Sequence, residues 1–326
     1  MSHSQGSRVS AVACLFTAML FWGAIPIFLR YFVADQKLDP WAVNAVRYLV
    51  AALFWLPVVV VLGRRQPHDG APGRNVWRDA LIPSAINVFA QATYGISPLY
   101  ASAPAIGFAL RLSFLFTLLF GVLLIAEERR LVRRRRFIAG AILCLAGVAG
   151  MFVGGVTKAG SITPAGMAIL VLSTICWGGY AVSVRVCMAG YPVRLSFGVI
   201  SLYTTGGLIA LAAAFGRPSD LVQASRIAWL AMVGSAMMGI ALGHVLYYRG
   251  IQRLGPVVSS GLLLATPFIT YAGAAVLLRE TLTGLQVLGG LAVVGGGALL
   301  VAARADLERR RPAGPPAEAP QDAPAV

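Results

Sequence analysis

The chain has 326 residues, 58% of them hydrophobic and only 12% charged, with a mean hydropathy of +0.77. Soluble globular domains carry about 45–50% apolar and about 25% charged residues, so an ordinary cytosolic enzyme is excluded. The net charge of +15 by itself would fit nucleic acid or an anionic membrane, and the hydropathy decides for the lipid bilayer and against nucleic acid.

Residues 1–11 form a short N-terminal segment. The apolar stretch behind it is too long for the core of a signal peptide and reads as a retained first span. A bilayer core of about 30 Å takes about 20 apolar residues in a helix. Ten runs of that order follow: Val12–Phe32, Trp41–Leu62, Ala80–Tyr100, Ala103–Ala126, Phe137–Gly154, Ala165–Met188, Leu195–Phe215, Ala228–Tyr248, Gly255–Leu278 and Gly284–Ala303. None alternates with period two, as an outer-membrane barrel requires. The fold class expected is an all-α integral membrane protein of ten transmembrane helices. Residues 304–326, rich in Pro, Ala and charge, offer no apolar face and are expected to be a disordered tail.

Lys and Arg outside these runs divide unevenly, eighteen on the side of the N-terminus and five on the other. By the positive-inside rule both termini are cytoplasmic and the host is the inner (plasma) membrane. The arginines between Arg129 and Arg136 fit a short cytoplasmic loop. Cys14, Cys144, Cys176 and Cys187 have no metal-ligand spacing, so no metal, cofactor or disulfide framework is expected.

A duplication runs through the chain. Trp22–Gly23 precedes Arg30 as Trp177–Gly178 precedes Arg185, and Pro104 and Pro256 each stand 24 residues before a glutamate, Glu128 and Glu280. The halves are 12–154 and 165–303. Five spans per half is an odd number, so the second copy enters the membrane from the opposite side, giving two inverted five-helix repeats. Such repeats suit a carrier, whose midplane site faces each side in turn.

Phe21–Trp22–Gly23, Val46–Arg47–Tyr48–Leu49, Tyr247–Tyr248–Arg249–Gly250–Ile251 and Arg279–Glu280–Thr281–Leu282–Thr283, followed by Gln286 and Gly289–Gly290, resemble the EamA-type drug/metabolite transporter family over about residues 12–303. The resemblance implies a secondary carrier, often an exporter of amino acids or other metabolites. The family pattern has a proline late in the fourth span, where this chain has Leu115 opposite Pro267.

Arg111 is the foremost candidate for substrate binding. Its guanidinium stays charged at mid-span with no internal acid to meet it, so it is either an anion contact or a structural arginine bonded to carbonyls. Arg47, six residues into its span, can snorkel to the surface, and Arg30 and Arg185 sit near span ends. Asn87, Gln91, Tyr94 and Pro98 share a helical face that either lines a path or bonds helices together. His244 and Tyr248, four apart, suit a relay or a substrate contact, or a satisfied buried histidine. Trp22, Trp177 and Tyr180 either wall a pocket or pack on one another. Ser259, Thr266 and Thr270 flank Pro267, where a freed carbonyl could meet a ligand, or they bond back to their own helix. Glu128 and Glu280 end equivalent spans as gates or as solvated helix ends. Gly239–Gly243 and Gly150–Gly154 have a spacing that serves helix packing and permits a homodimer.

No nucleophile elbow, zinc-protease motif or P-loop is present, so no catalytic residue is assigned. The reading is a secondary transporter, exporter or exchanger, of a small polar metabolite such as an amino acid or another anion-bearing compound. The alternative is a membrane enzyme or sensor for a lipid-linked or phosphorylated substrate.

Overall fold

The structure, a computed structural model, describes residues 2–64, 74–124, 129, 133–156, 163–247, 249 and 262–309. Among these there is no β-strand. The helices are α1 (Ser2–Arg30), α2 (Pro40–Arg64), α3 (Val76–Asp79), α4 (Leu81–Ile96), α5 (Ala103–Ala109), α6 (Ser113–Leu124), α7 (Arg135–Val156), α8 (Pro164–Cys187), α9 (Val193–Phe215), α10 (Arg226–Ala236), α11 (Thr266–Leu277) and α12 (Gly284–Arg309). Among the described residues eight segments are long and apolar enough to cross a bilayer. The third run departs from expectation, since α4 has 16 residues, short of the roughly 20 that a spanning helix needs, and the described part of the ninth run holds α11, of 12 residues. α4 buries Ser84, Asn87 and Gln91 on its inner face. The region 250–261, which would begin the ninth run, lies outside the described residues together with Glu128, Tyr248 and Ser259.

Local sequence sets the helix ends. Pro164 opens α8 behind Thr163, whose hydroxyl accepts from Gly166 N at 3.0 Å, and Ser225 caps α10 through Ala228 N at 3.1 Å. Asp39 does the same for α2 through Ala42 N at 2.8 Å. Helix α12 runs past residue 304, where the tail is expected to begin, as far as Arg309, and Asp306 meets Arg136 of α7 at 2.6 Å. That ion pair, and the continued helix hydrogen bonds, order residues whose composition alone suggested none.

Helices of the first half pack on helices of the second in reciprocal fashion. α1 lies on α11 and α6 on α8, while α2 pairs with α9 and α7 with α12. The two Trp-Gly motifs share this reciprocity. A Cβ on Gly23 would stand 2.8 Å from Ile269 of α11, and one on Gly178 would stand 2.8 Å from Thr117 N of α6. Each glycine lets the first helix of its own half seat on the fourth of the other.

The α7–α12 seam brings two helix backbones into close contact. Gly140, Gly147 and Gly154 on one side face Gly296, Gly289 and Gln286 on the other, and Gly150 faces Gly289. Small residues let helix backbones touch where lipid supplies no hydrophobic drive between helices. These glycines, among them the Gly150–Gly154 pair, are thus engaged within the chain. The outer surface keeps Phe16, Leu53, Phe89, Leu123, Ile142, Leu230 and Leu288 exposed, as a lipid-facing surface requires.

A Cβ on Gly147 would lie 2.5 Å from Gly289 O and 2.7 Å from Val293 N, neither of which can rotate away. Gly147→Ala is therefore expected to lower stability by about 1–3 kcal/mol, seen as an earlier thermal unfolding midpoint in detergent. Gly206→Ala, with nothing within 4 Å, should leave the midpoint unchanged or raise it.

Candidate functional site

A cavity of about 320 Å³ lies between the halves, its wall drawn from α1, α2, α4 and the α5–α6 region on one side and from α8, Gly239, Ile240, His244, Tyr247 and Leu263–Leu264 on the other. Its volume is at the low end of small-molecule sites, which span about 300–1,000 Å³.

Arg47 reaches it from α2. Contrary to the snorkelling expectation, this residue is only 2% exposed. Burial follows from the face it occupies: Asn44, Tyr48, Ala51 and Trp55, at helical spacing around it, are buried as well, and α9 and α10 cover them. The Nε of Arg47 donates to Ser235 Oγ of α10 at 3.0 Å, which fixes the fork, and its two terminal nitrogens make no hydrogen bond to the described residues.

Arg111 enters from the other flank, at a 3₁₀ turn, Leu110–Leu112, that interrupts the α5–α6 span. Its Nη1 donates to Leu263 O at 3.1 Å, while its Nε is buried without a partner among the described residues. Arg111 and Leu263 are each seven residues past the paired prolines Pro104 and Pro256, so equivalent positions of the two halves touch across the cavity. The phenol of Tyr94 lies within electrostatic reach of both guanidinium groups.

Aromatic residues shape the rest. The Trp22 indole donates to Gly239 O at 3.0 Å and packs edge-on against His244 and tilted against Tyr247. That carbonyl belongs to a π-helical stretch, Met237–Leu242, in which the regular helix ladder is rearranged. Gly243 leaves room for the indole, whose Nε1 would be 2.7 Å from a Cβ there. Trp177 stands edge-on to Tyr94 and Tyr180.

Six of the residues singled out in the sequence therefore share one cavity: Trp22, Gln91, Tyr94, Arg111, Trp177 and His244. Asn87, Pro98, Tyr180, Thr266, Thr270 and Glu280 do not line it. Asn87 is turned sideways and donates to Thr204 Oγ1 of α9 at 3.0 Å, so only part of the polar stripe on α4 faces the cavity. Pro98 ends that stripe beyond α4, where its carbonyl accepts from Arg30. Tyr180 lines a smaller pocket, of about 130 Å³, toward the end of α8. Thr270 donates to Gly23 O at 2.7 Å and ties α11 to α1, and Thr266 is buried beside it. His244 places Nδ1 3.1 Å from Ile240 O and stacks on Phe197 at 4.6 Å. Sequence reasoning missed Arg47, Tyr247 and Phe114 as cavity residues. For Arg47 a signal existed in the small, polar and aromatic residues recurring on its face of α2.

A model of the EamA-like transporter family matches residues 9–153 and 164–302. The chain belongs to this family. An uncharacterized protein of Pseudomonas aeruginosa is 28% identical over 297 residues, which make up 88% of this chain and 93% of that one. A crystal structure of a protein that is 20% identical superposes with a TM-score of 0.61, covering 94% of this chain and 99% of its own, which supports the fold alone. The protein is thus an EamA-like, multi-pass membrane transporter.

At one end of the EamA-like bundle a carboxylate ties several elements together. Glu280, just past α11, accepts from Arg30 Nε at 2.6 Å and from Ala103 N at 2.8 Å. Arg30 also donates to the Pro98 carbonyl. Glu280 and Arg30 together join the end of α1, the segment after α4 and the start of α5, whose own cap residue Ser102 supplies no side-chain bond. An anion at a helix start is favoured by the unpaired N–H groups there. At the opposite end Arg74 donates to the carbonyls of Cys187 and Ala189 at 2.8 and 2.7 Å and pairs with Asp79.

If the Glu280 cluster restricts access, Glu280→Gln weakens it and should raise entry to the cavity from that end severalfold. The check is labelling of Ser113→Cys, in a background with the four native cysteines replaced, by an impermeant maleimide. The charge exchange Arg30→Glu with Glu280→Arg should restore protection.

Proposed function

We propose that this EamA-like transporter is a secondary carrier, an exporter or exchanger, that moves a small anion-bearing metabolite through the Arg47–Arg111 cavity by alternating access. The supporting observation is the cavity itself, enclosed by both family-matched halves and furnished with two guanidinium groups. A permanent charge inside an apolar bundle is expensive unless it meets an anion or water, which makes such a residue a functional candidate. The reciprocal packing of α1 on α11 and α6 on α8 is what two inverted repeats, 12–154 and 165–303, would produce. In this reading the Arg30–Glu280 closure belongs to one of the two states, and both termini are cytoplasmic in the inner membrane, in keeping with the distribution of positive charge. A site between halves favours a carrier over an enzyme of lipid-linked substrates, whose pocket would open sideways into the bilayer.

Counterflow in proteoliposomes loaded with a mixed pool of amino acids, carboxylic acids and phosphorylated acids tests this. Wild type should accumulate at least one labelled compound above empty vesicles, and Arg111→Ala should lose about tenfold or more of that rate, as expected for a hydrogen bond to a charged group. Folded wild-type protein that moves none of them would overturn the carrier reading.

A further inference from the structure

We infer that the cavity selects dianions, two carboxylates or one phosphate monoester on an apolar or planar body, over zwitterions such as amino acids. The inference rests on the cavity serving as a binding site and names its substrate class.

Charge is the first argument. Arg47 and Arg111 line one cavity, and no acidic side chain lines it with them among the described residues. Glu280 is held by Arg30 and Ala103 N and contributes nothing to the cavity wall. A bound zwitterion would leave two uncompensated positive charges and offer its ammonium group no carboxylate. A dianion neutralises both guanidinium groups at once.

Hydrogen bonding is the second. Ser235 takes Arg47 Nε and Leu263 O takes Arg111 Nη1, so both arginines are oriented by the protein through part of the fork only. The terminal nitrogens of Arg47 and the buried Nε of Arg111 have no partner among the described residues. A buried donor such as Arg111 Nε is costly when unpaired in an apolar setting, and a planar carboxylate or a phosphate satisfies a guanidinium fork with two bonds. One arginine suffices for a monoanion, and the second is then left unmatched. Between them Trp22, Trp177 and Phe114 present ring surface that suits an apolar body.

The test is binding to purified full-length protein in detergent, followed by tryptophan fluorescence and thermal unfolding. Four probes share one ring: phthalate, phenyl phosphate, benzoate and phenylalanine. Phthalate or phenyl phosphate should bind about tenfold or more tightly than benzoate, since a charged hydrogen-bonding contact is worth about that factor or more. Phenylalanine should give no saturable change. Whichever of the two dianions binds better identifies the carboxylate or the phosphate form.

Arg47→Gln and Arg111→Gln should each bring the dianion affinity down to that of benzoate and leave benzoate within about threefold. Arg47→Lys keeps the charge and should keep the preference even if the glutamine variant fails to fold. Equal binding of benzoate or phenylalanine, a preference that survives both glutamine variants, or no dianion binding to folded wild type would each overturn the inference. Dianion binding without counterflow would retain it and overturn the carrier reading. Counterflow of zwitterions without dianion binding would do the reverse.

Discussion

A guanidinium group keeps its proton in any protein environment, so two of them inside an apolar helix bundle impose a demand that the surrounding structure must meet. Arg47 and Arg111 set that demand here, and the neighbouring elements answer part of it. The hydroxyl of Ser235 takes one fork and the carbonyl of Leu263 takes the other. Both regular helices that would otherwise run past the arginines are interrupted beside them, by the 3₁₀ turn at Leu110–Leu112 and the π-helical stretch at Met237–Leu242. Irregular backbone in a membrane protein is tolerated where it lines a cavity, and these two interruptions do so.

The cavity depends in turn on contacts between halves. Gly23 and Gly178 bring the first helix of each half against the fourth of the other, and the Trp22 indole is fastened to Gly239 O across the same boundary. The glycine seam of α7 and α12 lies apart from the cavity wall and holds the fifth helices together by backbone contact. Glu280 then joins three elements at one end through one carboxylate. The contacts between halves thus divide into a close backbone seam away from the cavity and a polar cluster at one end.

Much of this was legible in the chain. Eight of the ten predicted runs are helices long enough to span, because length and hydropathy are local properties. The paired Trp-Gly motifs and the paired prolines gave the duplication, and Arg111 was legible as a charge without a local partner. The errors are those that one-dimensional reading invites. Arg47 lies near enough to a helix end to snorkel, and only the helices packed over its face decide that it cannot. Asn87, Gln91 and Tyr94 share a stripe, yet a few tens of degrees around α4 send Asn87 to Thr204 and the other two to the cavity. Thr270 is equally able to face a ligand or a neighbour, and the approach of α1 at Gly23 settles the matter.

Sequence by itself determined the solvent of this protein, the helical class, the family and the presence of unmatched positive charge, since each depends on composition, period or spacing along the chain. Only the tertiary structure decided that two arginines rather than one share the site, that Glu280 meets Arg30 across 250 residues of chain, and which glycines serve helix contact. The physical reason is that burial and pairing belong to the neighbours a side chain acquires on folding, and those neighbours come from the other half of the sequence.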